Sequence, residues 1–153
     1  MGYDRRVFRS IVVGTDGSDT ATQAVRQAVD LASAVGAKLE LVSAYEPVSE
    51  QRLAEERREA PEDLQWAIGP REEVDATLEA AAALAREGGV AVEKCPRQGD
   101  PADAILDVAE ERDADLIVVG NKGMTGAKRF LLGSVPNKVS HHAPCSVLII
   151  RTT

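Results

Sequence analysis

Asp115-Leu-Ile-Val-Val-Gly120-Asn-Lys-Gly123-Met-Thr-Gly126-Ala-Lys-Arg-Phe-Leu-Leu-Gly133-Ser134 is the stretch from which the rest of the chain can be read. Its opening run from Asp115 to Val119 is short, β-branched and bounded by glycine, the pattern of a parallel strand buried on both faces. After Gly133, the residues from Ser134 onward read as the first turns of a helix, with Ser134 at or next to the N-cap and Pro136 just inside. A strand therefore passes through a glycine loop into a helix. The start of a helix leaves backbone N–H groups unpaired at the positive end of its dipole, and glycines let a loop backbone come close to a ligand. That combination can cradle a phosphate. The plain alternative is a turn whose lysines and arginines are solvated.

Charge supports the first reading independently. From Leu116 to Thr153 there is no Asp or Glu, but there are Lys122, Lys128, Arg129, Lys138 and Arg151, a balance of +5 in a chain of net charge −7. The remainder carries −12. An acidic chain with an acid-free, basic stretch around a glycine loop suits an anionic ligand. Two common phosphate patterns do not apply: Gly-x-x-x-x-Gly-Lys-Ser/Thr is absent, and Gly120, Gly123 and Gly126 are spaced wrongly for Gly-x-Gly-x-x-Gly.

Upstream of this stretch the chain alternates strands and helices. Arg9 to Gly14 is a buried strand leading to the polar turn Thr15-Asp16-Gly17-Ser18-Asp19. A helix follows with Ala21, Ala24, Val25, Ala28, Val29, Ala32 and Val35 at helical spacing, a Thr20/Gln23 capping box and Gly36 as its stop. Ala37 to Ala44 is a second strand, less uniformly apolar at its start. Tyr45 to Pro70 is irregular, with a dense mixed-charge run and the lone Trp66, and reads equally as a short solvated helix or a loop.

Arg71 to Glu87 is a helix with Val74, Leu78, Ala81, Ala82 and Ala85 on one side and Leu84 at the margin. Val90 to Cys95 alternates as a strand toward a sheet edge, and Asp100 caps a helix opened by Pro101 and running to Arg112. Ser146 to Ile150 is the last strand. Five strands alternating with four helices imply a three-layer α/β sandwich around an open, mostly parallel sheet, with residues 1–153 forming one domain.

Composition sets limits on function. The 153 residues are 44% apolar and 28% charged, ordinary for a globular domain, and no run is long and apolar enough to span a membrane. The N-terminal residues lack the apolar segment of a signal peptide, so a cytoplasmic location is expected. Net charge −7 and 3% aromatics argue against nucleic-acid polymers but leave a mononucleotide open. Cys95 and Cys145 have no metal-ligand spacing and are expected as buried or half-buried thiols. His141 and His142 are neighbours at a helix end, favoured there by the dipole, and form no catalytic pair. No serine has an identifiable His-plus-carboxylate arrangement, so no catalytic residue and no all-protein metal site is assigned.

The spacing Gly120-x2-Gly123-x9-Gly133-Ser134 resembles the Gly-x2-Gly-x9-Gly-Ser/Thr signature of the ATP-binding universal stress proteins, with all four positions matched. The likeness spans the chain apart from its variable middle. It implies a Rossmann-like, adenine nucleotide alpha-hydrolase-like fold with strand order 3-2-1-4-5 and a ligand crevice between the first and fourth strands. It also implies roles for individual residues. The backbone of Gly123, Gly133 and Ser134, with the Ser134 hydroxyl and the neighbouring Val135, would hold phosphates. Asp16 and Gly120 would reach the ribose, Thr15 would line the pocket beside Asp16, and the backbone at Ala44 would take the adenine edge. Lys122 and Arg129 would add charge.

The implied ligand is ATP, AMP or cyclic AMP, and Mg²⁺ or Mn²⁺ can bridge phosphates to Ser134 or Asp16. From the residues alone, Asp16 reads equally as a ligand carboxylate at the sheet's carboxyl edge or as a helix-start cap or Asx-turn residue. In strand order 3-2-1-4-5 the last strand, Val147, Leu148, Ile149 and Ile150, is an open edge. A second copy related by two-fold symmetry would cover it, as the resemblance implies, or the C-terminal residues would shield it in a monomer. The expected function is a nucleotide-binding stress-response or signalling module. A slow ATP hydrolase and a purely structural dimer are the alternatives.

Overall fold

The computed structural model describes residues 7–45, 70–121 and 132–152. In chain order these form β1 (Ser10–Gly14), α1 (Asp19–Val35), β2 (Lys38–Tyr45), α2 (Pro70–Glu87), β3 (Val92–Gln98), α3 (Pro101–Glu111), β4 (Leu116–Gly120), α4 (Ser134–His142) and β5 (Ser146–Ile150). The expected irregular segment with Trp66 lies outside the described residues, apart from Tyr45 at the end of β2 and Pro70 at the start of α2.

The strands form one parallel sheet in the order β3-β2-β1-β4-β5. Alternation along the central strands explains the two cores. Ile11, Val13, Leu39, Leu41, Leu116 and Val118 pack on one face with α1 and α2. Val12, Val42, Ile117 and Val119 pack on the other with α3 and α4. A strand covered on both sides has no wet face, which is why β1 and β4 read as unbroken apolar runs. Asp115 joins their starts, its carboxylate accepting the N–H groups of Arg9 (2.9 Å) and Ser10 (3.1 Å).

The start of α1 and both ends of β3 differ from the sequence reading, whereas α4 begins as expected. Helix α1 starts earlier than the Thr20/Gln23 box predicts: Ser18 is the N-cap, its Oγ accepting the Ala21 N–H at 3.2 Å. Gly17, at φ +81°, has already turned the chain, so Thr20 falls within the first helical turn. Strand β3 begins two residues late and runs on through Pro96 to Gln98. Val90 is taken by the end of α2, its N–H donating to Ala85 O at 2.9 Å, and an edge strand tolerates proline because half its N–H groups have no ladder partner. At α4 the N-cap is Gly133, and Ser134 is the first helical residue. Gly36 ends α1 in the left-handed region (φ +74°), and Asp100 caps α3 ahead of Pro101, both as predicted.

Candidate functional site

Strands β1 and β4 are neighbours, yet the chain leaves β1 toward β2 and β4 toward β5. The loops beyond their carboxyl ends diverge and open a crevice, the usual place for a ligand in an open α/β sheet.

The turn after β1 is built by its own side chains. Thr15 is buried; its N–H donates to Val42 O at 2.9 Å and its Oγ1 accepts the Gly17 N–H at 3.1 Å. Asp16 is exposed, and its Oδ1 accepts the Ser18 N–H at 2.9 Å. The two sequence readings of Asp16 are thus compatible, because it forms an Asx turn and also lines the crevice.

The crevice, with a volume of about 30 Å³, lies between Thr15, Asp16, Gly120, Val135 and Thr152, with Ile105 from α3 at its wall. A second cleft of about 250 Å³ adjoins it and is lined by Asp16, Ser43, Ala44, Tyr45 and Glu73. Asp16 borders both. The structure therefore brings Thr15, Asp16, Gly120 and Val135 together and places Ala44 in the adjoining cleft. Gly133 and Ser134 immediately precede Val135 at the start of α4. Lys122, Gly123 and Arg129 lie outside the described residues.

The α4 terminus has the chemistry of an anion site. Its N-cap is a glycine, which has no side chain to cap it, and Pro136 brings no N–H, so the amides of Ser134 and Val135 begin the helix beside the crevice. Its neck is closed by the Gly133 N–H donating to Asn121 O at 3.0 Å. Gly120 has no need of left-handed backbone: a Cβ there would lie 3.6 Å from Thr152 Cγ2, an ordinary contact. Its lack of a side chain keeps the crevice open.

One charge counted toward the anion is used elsewhere. Lys138 lies 2.8 Å from Asp103 Oδ1 and 3.5 Å from Asp100 Oδ2, pinning α4 against the start of α3, and its hydrogen bond to Asp103 raises its pKa. Sequence reasoning missed Thr152, Ile105 and Glu73. None belongs to a spaced motif, and Thr152 reaches the crevice only because β5 lies beside β4. Among the described residues no cluster of three His, Cys, Asp or Glu side chains could hold a metal ion, and no helix is long and apolar enough to cross a membrane. Burial pushes the Cys95 thiol up to about 11 and raises that of half-buried Cys145.

A family model described as the universal stress protein family matches residues 8–151. The chain belongs to the universal stress protein family. A universal stress protein of Mycobacterium tuberculosis strain H37Rv is 40% identical over 147 residues, covering 95% of this chain and 98% of its own length. The crystal structure of a universal stress protein in complex with cAMP superimposes with a TM-score of 0.71 at 38% identity, covering 95% and 99% of the two chains. The universal stress protein of Archaeoglobus fulgidus in complex with dAMP superimposes with a TM-score of 0.65 at 28% identity, covering 95% and 99%. The UspA-like, Rossmann-like fold of this universal stress protein, with strand order 3-2-1-4-5, is the one its sequence motif implied.

Proposed function

We propose that this universal stress protein binds an adenine nucleotide in the crevice between β1 and β4, and that occupancy alters the surface it offers a partner in stress response or signalling. The observation that carries the reading is the convergence of Asp16, Gly120 and the glycine-led start of α4 on one crevice at the switch point of the sheet. Relatives of the same fold crystallised with cAMP and dAMP support it.

The amides of Ser134 and Val135, the Ser134 hydroxyl and the Gly123 backbone suit phosphate oxygens, with Lys122 and Arg129 adding charge. The Asp16 carboxylate suits ribose hydroxyls, and the backbone at Ala44 suits the edge of the base. ATP, AMP and cAMP share these features. With ATP, Mg²⁺ or Mn²⁺ would be held chiefly by the phosphates, with an oxygen of Ser134 or Asp16 completing its shell. Such a module works in the cytoplasm, as a homodimer paired through the free edge of β5.

Calorimetric titration with AMP, cAMP and ATP, the last with and without Mg²⁺, tests the reading. Saturable binding of at least one, with a preference over the matching guanine nucleotide, is expected. No binding of any of them would overturn it.

A further inference from the structure

Asn121 follows Gly120 at the end of β4, at a position the glycine signature leaves unspecified. Its hydrogen bonds join three segments. Its N–H donates to Ile150 O at 2.9 Å and its carbonyl accepts the Gly133 N–H at 3.0 Å. Its Oδ1 accepts both the backbone N–H and the Oγ1–H of Thr152, each at 2.9 Å. A backbone N–H can only donate, so the atom facing Thr152 must be the amide oxygen, and two donors from one residue fill its two lone pairs.

The clasp is sheltered. Thr152 is 9% exposed, lines the crevice and packs beside Gly120. The chain beyond β5 thus fixes Asn121, Asn121 fixes Gly133, and Gly133 immediately precedes the amides of Ser134 and Val135. A donor array aimed at an anion loses much of its value when it is free to shift, because each contact must then be ordered on binding.

We propose that Asn121, clasped by Thr152, is a positioning residue that sets the start of α4 relative to β4 and so holds the α4 amides at the depth from which a phosphate is bound. This rests on the nucleotide reading above and adds to it a specific contribution from the C-terminal residues. It concerns the phosphate end of the ligand and leaves the nucleoside end, at Asp16 and Ala44, to other residues.

Paired titrations with AMP and adenosine test this in the unaltered protein, Asn121→Ala, Thr152→Val and Thr152→Ser. Loss of one or two positioning hydrogen bonds is expected to lower the ratio of AMP to adenosine affinity about tenfold in Asn121→Ala and less in Thr152→Val. Thr152→Ser, which keeps the hydroxyl, should restore the ratio. A general loss of structure would weaken both ligands together and leave the ratio unchanged, which would overturn the proposal. Thr152→Val keeps side-chain shape and the backbone N–H bond, so it answers even if Asn121→Ala does not fold. Amide exchange at Gly133, measured without ligand, should quicken in Asn121→Ala; unchanged protection would also overturn the proposal. If the unaltered protein binds neither AMP nor adenosine, the nucleotide reading falls and this role with it. If it binds AMP and the variants keep the ratio, only the positioning role falls.

Discussion

The Asp16 carboxylate closes its own turn, with Oδ1 accepting the Ser18 N–H at 2.9 Å, while the side chain borders both clefts beyond β1 and β2. Asparagine keeps an oxygen for the Ser18 N–H but loses the negative charge, so it separates turn from ligand. Asp16→Asn is expected to fold with stability near that of the parent and to bind AMP roughly 10–100-fold more weakly, the value of one charge-assisted hydrogen bond. Asp16→Ala should lose the same affinity and about 1 kcal/mol of stability besides. Calorimetry with urea denaturation measures both, and unchanged affinity in Asp16→Asn would reduce Asp16 to a turn residue.

Gly14 and Gly120 end adjacent strands for different reasons. A Cβ on Gly14 would overlap Ile105 Cδ1 and come within 3.0 Å of its Cγ1, whereas one on Gly120 meets only ordinary contacts. Gly14→Ala should therefore cost about 1–3 kcal/mol through overpacking, with part recovered in the double variant with Ile105→Val. Gly120→Ala should stay within about 0.5 kcal/mol of the parent and act instead on nucleotide affinity. Equal destabilisation by the two alanines in urea would contradict this division.

These contrasts mark what could be read from the chain. All five residues assigned to the buried side of α2 are buried, and Leu84 is half-buried, because a 3.6-residue stripe needs only its own helix to be seen. Thr15, Asp16, Gly120 and Val135 meet in one crevice because strand-loop-helix order determines which ends of the elements face each other. Choosing Ser18 over Thr20 as the cap was not legible, since it depends on the left-handed turn at Gly17 and on side-chain bonds within that turn. Thr152 and Asn121 are 31 positions apart and meet only through the sheet order. The burial of Glu40 is not legible from β2 alone, because besides Lys38 of its own strand its neighbours come from β3 and the end of α3.

Glu40 has no exposed surface. Its Oε1 lies 3.3 Å from Lys38 Nζ, and its Oε2 accepts from the Cys95 thiol at 3.7 Å and lies 4.0 Å from Arg112 Nη1, which also pairs with Glu93. Loss of water raises the Glu40 pKa above its ordinary 4.5, reinforced by Glu93 and opposed by Lys38. The folded protein therefore holds this proton more tightly than the unfolded chain does. Its contribution to stability is full below 4.5 and is lost as pH rises through the folded-state value. Glu40→Gln stays neutral, so its stability should improve relative to the parent as pH rises, measured by urea denaturation between about pH 4 and about pH 8. A pH-independent difference between the two would show that Glu40 is ionised in the fold as readily as in the open chain.

Among the described residues β5 is an edge of the sheet, with Leu148 39% and Ile149 36% exposed. These two residues point to opposite faces, so neither core can cover both, and the strand that carries them has no charge or proline to deter pairing. A second β5 laid alongside across a two-fold axis would fill the backbone bonds and bury both side chains at once. Leu148→Lys is expected to turn a dimer into a monomer by light scattering while leaving thermal unfolding at low concentration nearly unchanged, since an exposed position away from the core moves stability by about 0.5 kcal/mol or less. A monomeric parent would leave the edge to shielding within the chain. A variant that stays dimeric would move the interface to another face.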